Sequence, residues 1–285
     1  MTSIRRTKRS AVKAFLSSRQ SAGFSFWWLG QAGFAFQSAD TRILIDPYLS
    51  DSLADKYKGR EFPHIRMAPS PIRAEEIHKL DFVLCTHGHS DHMDPGTLPV
   101  LARSNRNCLF IVPRSEKRTA MERGIPSMQI RTINADESLQ LTFEIQIHAI
   151  PAAHIHIETN HNNEHLYLGY IIKIGKSIIY HSGDCVPYPE LVHNLEKYNI
   201  DIAFLPINGR DAFRQSRGVP GNFTLEEAVA VCRQSHIPTL LPHHFGMFDF
   251  NTVDPTEIRQ RLSSMGTKVN CILPELNMEY SVCDE

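Results

Sequence analysis

The chain has 285 residues, of which 42% are hydrophobic, and it carries 30 basic and 31 acidic side chains. This is an ordinary composition for a globular protein and leaves room for one large domain. The net charge of −1 gives no reason to expect nucleic acid or an anionic membrane as a partner, and the apolar runs are far too short to cross a bilayer.

The first 20 residues contain six basic side chains and no acidic one. Residues 10–16 have an amphipathic pattern, so we predict that residues 1–23 form a basic arm or helix in front of one domain at residues 24–285. An organelle transit peptide has a similar composition, but composition alone is weak evidence for one. No apolar leader segment follows, and the cysteines are scattered without CxxC spacing, which predicts reduced thiols and a cytoplasmic location.

From residue 24 onward, two stretches rich in strand patterns are accompanied by helix patterns. Strands are predicted at residues 24–29, 33–36, 42–46, 81–85, 108–112, 129–133, 138–150, 167–180 with a turn at 175–176, 201–207, 239–241 and 268–273. Helices are predicted at residues 73–79, 98–102, 115–123, 189–198, 224–234 and 255–264. Thr224 and Glu227 have the spacing of a capping box. This order predicts an α/β (α+β) fold with a core of two sheets and helices on their outer faces.

The most specific signal is the run His87-Gly-His89-Ser-Asp91-His92, directly after an apolar strand. Imidazole and carboxylate groups are ligands of zinc, manganese and iron. His87 and His89 lie two residues apart, so an extended backbone points both the same way, and Gly88 leaves room for the chain to bend around an ion. Asp91 and His92 follow a turn and can face a second ion. A polar surface turn is the alternative, but six residues of these types after a buried strand favour a metal site.

Three later strand-like segments also end in metal-ligand residue types, at His154, Asp184 and the pair His243-His244. A carboxylate such as Asp184 can bridge two ions, which catalytic sites hold about 3.5–4 Å apart. His243 and His244 compete for one role. Because neighbouring residues of an extended segment face opposite sides, only one of them can face the ion, and we assign His244.

Two other polar residues near these motifs are predicted to support the site without binding metal. His181 precedes Asp184 by three positions and is assigned a structural role. Asp46 precedes Pro47 at the end of a strand, and we expect its side chain to accept hydrogen bonds from the backbone of the metal loop.

Taken together, these motifs resemble the metallo-β-lactamase superfamily, in which an H-x-H-x-D-H run is followed by single His, Asp and His ligands. Residues 28–34, 45–47, 180–184 and 205–211 specifically resemble the L-ascorbate-6-phosphate lactonase-like branch. The resemblance covers about residues 24–273. It implies a four-layer αββα sandwich with the metals at one edge between the sheets, and it implies a homo-oligomer.

The resemblance also implies which residues bind one or two divalent ions. The ligands of one ion would be His87, His89 and His154, those of the other would be Asp91, His92 and His244, and Asp184 would lie between them. Histidine and carboxylate ligands suit both Mn²⁺ and Zn²⁺, and no thiolate ligand tips the choice toward zinc.

The implied activity is metal-assisted hydrolysis of a lactone of a phosphorylated sugar, because a divalent ion lowers the pKa of water to about 7 in favourable sites. Asp91 is expected to accept a hydrogen bond or a proton from the attacking water. Asn208, Arg210 and Arg214 lie on a loop after a strand and are predicted to bind the anionic part of the substrate. The alternative is a solvated loop whose arginines pair with Asp211 or nearby acids.

Two other functions fit the same residues. The site could cleave a phosphodiester, as phosphodiesterase and phospholipase-type hydrolases of this fold do, or the protein could bind metal without turnover. The presence of every expected ligand type favours an enzyme, although ligands alone do not prove catalysis. A small anionic molecule is the expected partner, and neither nucleic acid nor a membrane is expected.

Overall fold

The structure is a computed structural model that describes residues 3–8, 15 and 23–283. Its strands are β1 (Ser3–Lys8), β2 (Phe24–Gly30), β3 (Gly33–Ser38), β4 (Thr41–Ile45), β5 (Phe82–Leu84), β6 (Leu109–Pro113), β7 (Ile130–Ile133), β8 (Ser138–Gln140), β9 (Ile145–Pro151), β10 (Leu168–Ile174), β11 (Ser177–His181), β12 (Ile202–Pro206), β13 (Thr239–His243), β14 (Asn270–Cys271) and β15 (Met278–Cys283). The α-helices are α1 (Ser52–Lys56), α2 (Leu98–Ser104), α3 (Lys117–Glu122), α4 (Leu191–Glu196), α5 (Ala212–Gln215), α6 (Leu225–Gln234) and α7 (Pro255–Met265).

The strands form two mixed sheets. Among the described residues, one sheet has eight strands in the order β1-β15-β2-β3-β4-β5-β6-β7, and the other has seven in the order β14-β13-β12-β11-β10-β9-β8. The chain order within each sheet combines antiparallel hairpins, such as β2 with β3, and parallel neighbours, such as β4 with β5. The predicted core of two sheets with helices beside them is confirmed.

The two sheets pack face to face through aromatic side chains. The ring of Phe204 on β12 lies 4.7 Å from that of Phe34 on β3 and 5.4 Å from that of Phe26 on β2, both edge to face. A second apolar cluster fills the space on the other side of the eight-stranded sheet, where Leu98 and Leu101 of α2 are completely buried. Because both faces of the central strands are covered, their sequences are almost continuously apolar.

Several predicted elements differ from those observed. The strand predicted at residues 138–150 is a hairpin of β8 and β9, and Phe143 at its turn is fully exposed. The helix predicted at residues 73–79 is only a short 3-10 turn at Ala74–Glu76. The capping box of α6 is present as predicted, since Thr224 accepts from the backbone N–H of Glu227.

The amino-terminal segment includes a strand that was not predicted. Residues 3–8 of the predicted basic arm form β1, which pairs antiparallel with β15. The helix predicted at residues 10–16 lies outside the described residues except for Phe15, whose ring packs edge-on against Trp27 at 5.7 Å. Within the part of the chain that the structure describes, no helix is both long enough and apolar enough to cross a bilayer.

The sheet topology brings the polar residues together at one edge. Strands β11, β12 and β13 run parallel to one another, and β9 runs in the same direction because β10 is antiparallel to both β9 and β11. Their carboxyl ends therefore meet at a single edge, which is where the segments that carry His154, Asp184, Asn208 and His244 begin.

Candidate metal centre

Two groups of possible metal ligands lie side by side at this edge. His87, His89, His154 and Asp184 form the first group, in which the nitrogen or oxygen atoms lie within 4.8 Å of one another. The second group, with ligand atoms equally close to one another, consists of Asp91, His92 and His244. The structure thus brings together every residue that the sequence proposed as a ligand, in the two sets that the resemblance implied.

The carboxylate of Asp184 connects the two groups. Its Oδ1 lies 3.2 Å from Nε2 of His92 and 3.2 Å from Nε2 of His244, both in the second group. Its Oδ2 lies 3.7 Å from Nε2 of His154 in the first group. A carboxylate that presents one oxygen to each group has the arrangement expected of a ligand shared between two ions.

Buried polar atoms at the centre have no hydrogen-bond partner in the described residues. They include Nε2 of His87, Nε2 of His92 and Oδ1 of Asp184. A buried acceptor without a partner costs about 1–3 kcal/mol, so such atoms call for a ligand. Imidazole nitrogens and carboxylate oxygens that converge in this way fit a divalent cation, and the donor set is one that zinc and manganese both accept.

Asp46 orients one histidine in each group. Its Oδ2 accepts hydrogen bonds from Nδ1 of His92 at 2.7 Å and from Oγ1 of Thr86 at 2.6 Å, and its Oδ1 accepts from the backbone N–H of Thr86 at 2.8 Å. Since the Thr86 hydroxyl donates to Asp46, Nδ1 of His87 at 3.0 Å must donate to that hydroxyl. Nδ1 of each imidazole therefore donates away from the centre, and Nε2, which faces the centre, is the nitrogen left to bind a metal ion. The predicted bond from Asp46 to the loop backbone is present, and the contact with His92 is additional.

Replacing Asp46 with asparagine is expected to weaken metal binding about 10–100-fold without unfolding the protein, because an amide has one acceptor oxygen and cannot accept hydrogen bonds at both the Oδ1 and the Oδ2 positions. Competition with a chromogenic chelator measures the affinity, and circular dichroism verifies the fold. Thr86→Ser keeps the hydroxyl and serves as the control for a change in the same loop. An unchanged affinity in Asp46→Asn would show that Asp46 does not orient the ligands.

The metal loop is held in place by residues that the sequence analysis did not single out. The Arg123 guanidinium donates to the backbone carbonyls of Gly88 at 2.6 Å, His89 at 3.3 Å and Met93. A Cβ on Gly88 would lie 2.5 Å from a carboxylate oxygen of Glu116. That oxygen is at the flexible end of a side chain, so a larger residue at position 88 would require Glu116 to move, and the prediction that Gly88 leaves room for a bend around an ion stays a prediction.

Gln31 and Tyr167 also contact the ligands. Nε2 of Gln31 donates to Oδ2 of Asp91 at 2.9 Å and lies 3.0 Å from Nε2 of His244, so it positions residues of the second group. The Tyr167 ring stacks on His154 with the centroids 4.9 Å apart and lies 5.0 Å from the ring of His87 in the first group. Gln31 falls within residues 28–34, which carried part of the resemblance, but nothing in the sequence pattern indicated Tyr167.

The aspartates and histidines perturb one another's protonation. Burial alone would raise the pKa of Asp184, but His244 and His92 outweigh it and hold this pKa well below its usual range. Burial alone would lower the pKa of His244, but Asp184 and Asp91 raise it to about 9. Burial lowers the pKa of His89 to about 4. Near pH 7, a cation that binds His244 must therefore displace a proton, whereas His89 is already neutral.

His243 is the last residue of β13 and His244 follows it, and the structure places the two side chains in different surroundings. His244, with a left-handed φ of 62°, belongs to the second group. His243 is fully buried on the other side, stacked on His181 at 4.9 Å. Nε2 of His181 donates to the backbone carbonyl of Ala32, and its Nδ1 accepts from the backbone N–H of Gly183. Neither His243 nor His181 is placed among the candidate ligands, as expected from the sequence.

The residues predicted to bind the substrate are occupied by protein partners. Arg210 makes a bidentate pair with Glu227 at 2.6 and 2.7 Å. Arg214 pairs with Asp211 and also donates to Oδ1 of Asn251 at 2.6 Å. Neither arginine lines the cavity above the metal centre, so the contacts match the alternative of arginines paired with nearby acids.

Asn208 is likewise taken up by structural contacts. Its side chain is buried and bonds Asn251 at 2.8 Å and Asn222 at 3.0 Å. In the structure the polar atoms of Asn208, Arg210 and Arg214 connect the 208–218 loop to the rest of the fold, and the expectation that they contact substrate stays a prediction.

A cavity of about 550 Å³ opens above the two ligand groups. His89, Asp91, His154, Asp184 and His244 contribute to its floor. This volume lies in the range of small-molecule sites, about 300–1,000 Å³. The arrangement can therefore present a small molecule to ions held by these residues.

Comparisons with known proteins agree with this fold. The chain is 28% identical over 244 residues to a UPF0173 metal-dependent hydrolase of Caldivirga maquilingensis, an alignment that covers 85% of this chain and 91% of that protein. Among solved structures, the isothiocyanate hydrolase from Delia radicum gut bacteria has a TM-score of 0.71 at 17% identity and covers 92% of this chain and 100% of that one. The metallo-beta-lactamase fold protein YhfI from Bacillus subtilis has a TM-score of 0.62 at 16% identity and covers 91% of this chain and 99% of that one.

The family comparison covers most of the chain. A model described as the beta-lactamase superfamily domain matches residues 41–245, which include strands of both sheets and all the candidate ligands. The two mixed sheets, the flanking helices and the ligand groups at one edge of the sheets agree with this match. The chain belongs to the β-lactamase superfamily and has the metallo-β-lactamase fold.

Proposed function

We propose that this chain is a metal-dependent hydrolase that opens a lactone, a cyclic carboxylic ester. The observation that carries the proposal is the pair of ligand groups joined by Asp184 on the floor of a cavity of small-molecule size. The name of the Caldivirga maquilingensis relative, a metal-dependent hydrolase, supports metal-dependent hydrolysis. The choice of a lactone as substrate is supported by the resemblance of residues 28–34, 45–47, 180–184 and 205–211 to the lactonase-like branch.

The ions would be held by the two ligand groups, with Asp184 shared between them. Divalent ions bound there would supply Lewis acidity and lower the pKa of a water molecule to about 7. Mn²⁺ and Zn²⁺ both fit the combination of imidazole and carboxylate ligands.

The remaining chemistry is assigned to Asp91, which lines the cavity. Although burial would raise its pKa, His92 and His244 keep it far below the usual range, so its carboxylate stays ionised at neutral pH. An ionised carboxylate can accept a hydrogen bond or a proton from the attacking water. The bond from Gln31 to Oδ2 fixes the orientation of this carboxylate.

A substrate panel with and without chelator tests the proposal. The panel contains lactones, phosphodiesters and allyl isothiocyanate, the last because an isothiocyanate hydrolase shares the fold. We expect lactone ring opening that a chelator abolishes and that Mn²⁺ or Zn²⁺ restores. Hydrolysis of phosphodiesters alone would instead identify a phosphodiesterase. If the metal-loaded protein cleaves no member of the panel, the lactonase proposal fails and a metal-binding role without turnover is favoured.

A further inference from the structure

A cationic wall borders the cavity beside the metal centre. It consists of Lys56, Arg60 and Arg217, which all line the cavity but are neither metal ligands nor the arginines predicted from the sequence. Lys56 and Arg60 belong to α1 and the turn after it, and Arg217 follows α5. The wall borders the metal centre, because the same cavity is lined by the candidate ligands His89, Asp91, His154, Asp184 and His244.

The segment that carries Lys56 and Arg60 is firmly anchored. Asp94, directly after the metal loop, accepts hydrogen bonds from the side chains of Ser50 at 2.8 Å and Ser52 at 2.7 Å. Arg66, at the other end, is largely buried and donates to the backbone carbonyl of Tyr48 at 2.6 Å. The positions of these cations relative to the metal centre are therefore defined by the fold.

An aromatic platform supports two of the cations. The Lys56 ammonium lies 5.2 Å and the Arg60 guanidinium 5.5 Å from the centroid of the Tyr57 ring. That ring stacks in turn on His64 with centroids 4.1 Å apart. Contacts with an aromatic face orient a cation but leave its hydrogen-bond donors available.

Arg217 is oriented by its neighbours and keeps donors available. Its guanidinium lies 3.8 Å from the centroid of Phe213 and pairs through Nε with Glu61 at 2.8 Å. Nη2 makes no hydrogen bond within the described residues. A guanidinium held in this way is suited to bind an oxyanion.

The charges around the cavity are unevenly distributed. Glu61 is paired with Arg217, and Arg123 is engaged with carbonyls of the metal loop. Lys56 and Arg60 have no carboxylate within ion-pair distance among residues 3–8, 15 and 23–283. Glu61, Asp91, Glu158 and Asp184 also line the cavity, so its four cations are matched in number by four carboxylates, and the positive charge without an ion-pair partner is local, at Lys56 and Arg60. Cations of this kind on the wall of a concave site attract anions.

We infer that the cationic wall binds an oxyanion carried by the substrate, a phosphate monoester or a carboxylate, while the ester to be hydrolysed faces the metal centre. The inference rests on the proposed function and specifies its substrate class. It assigns to Lys56, Arg60 and Arg217 the role that the sequence had suggested for Arg210 and Arg214.

Pairs of lactones that differ by one anionic group test this inference. Glucono-δ-lactone and its 6-phosphate form the phosphate pair, and γ-butyrolactone and its 3-carboxylate form the carboxylate pair. We expect the wild-type protein to prefer the charged member of at least one pair, and the pair that shows the preference identifies the oxyanion. Equal kcat/KM values for both members of both pairs would overturn the inference.

The double variant Lys56→Gln, Arg60→Gln is expected to raise KM for the preferred charged lactone about tenfold and to leave the neutral lactone unchanged, because two charge-assisted contacts are lost. The matched control is Lys58→Gln, Arg233→Gln, which removes two exposed cations outside the cavity wall and is expected to change neither KM. Equal changes for charged and neutral lactones in the first variant, or a loss of preference in the control, would overturn the inference.

A binding measurement separates this inference from the lactonase proposal. If no lactone is hydrolysed, calorimetry with the metal-loaded protein measures the affinity for two pairs of ligands. The phosphate pair is 6-phosphogluconate and gluconate, and the carboxylate pair is 1,2,3-propanetricarboxylate and glutarate. We expect tighter binding of the more charged member of one pair, and loss of that difference in Lys56→Gln, Arg60→Gln. A difference that persists in the double variant, or none in the wild type, would overturn the cationic wall as the binding site independently of catalysis.

Discussion

Replacing Asp184 with asparagine should remove most of the bound metal and lower hydrolysis on the order of 10³-fold or more, an effect of the size expected when the stabilisation of transition-state charge is lost. The carboxylate reaches both ligand sets, since Oδ1 lies 3.2 Å from His92 and His244 while Oδ2 lies 3.7 Å from His154. An amide of nearly the same shape has no negative charge and only one acceptor oxygen. The substitution therefore tests whether the Asp184 carboxylate is shared between the two ligand groups, with little change in how the side chain packs.

Elemental analysis of the purified variant and the rate of lactone hydrolysis measure this effect. Glu196→Gln on α4 makes the same carboxylate-to-amide change at an exposed position away from the centre, and it is expected to keep both metal and activity. Circular dichroism establishes that both variants are folded. Full metal content in Asp184→Asn would mean that this carboxylate does not hold the ions.

Replacing Asp91 with asparagine should lower kcat about 10²–10⁴-fold, the range for loss of a general base. The variant leaves the first ligand group intact, so we expect it to keep more metal than Asp184→Asn does. The combination of retained metal and lost turnover is what distinguishes a residue that handles a proton from one that only binds an ion.

The pH dependence gives a second readout for Asp91. Its folded-state pKa is depressed by His92 and His244 despite burial, so its carboxylate remains ionised as the pH falls to well below neutral. Loss of wild-type kcat on mild acidification should therefore follow proton competition at the histidines and not protonation of Asp91. A kcat for Asp91→Asn equal to that of the wild type, measured at saturating metal, would remove this residue from the mechanism.

The metal centre could be predicted from the sequence because its signals are local. The ligand residue types follow apolar strands, and the parallel strands of each sheet end at the same edge, so His87, His154, Asp184 and His244 converge without any further information. The alternation of side chains in an extended segment predicts that only one of His243 and His244 faces the ion, but it does not say which one.

The contacts of the arginines predicted to bind substrate could not be foreseen because their partners are distant in the sequence. Arg210 is paired with Glu227, which lies 17 positions further along the chain, and the pairing depends on how the start of α6 packs on the loop. Residues 55–61 have the composition of an ordinary polar loop, and only the tertiary structure places Lys56 and Arg60 on the wall of the cavity.

The division of the predicted 138–150 strand was missed for a local reason. The turn between β8 and β9 has no glycine or proline to mark it, and the apolar Phe143 continues the strand pattern. In the structure Phe143 is exposed at the tip of the hairpin. Hydrophobic alternation alone does not reveal a turn of this kind.

The most direct test of the central claim is a crystal structure of the metal-loaded protein with anomalous diffraction data collected at the absorption edge of the bound metal. We predict anomalous peaks among His87, His89, His154 and Asp184 and among Asp91, His92 and His244, with Asp184 reaching both positions if two ions are bound. Absence of an anomalous peak at this edge of the sheets in crystals of the metal-loaded protein, or a peak bound by other residues, would contradict the account.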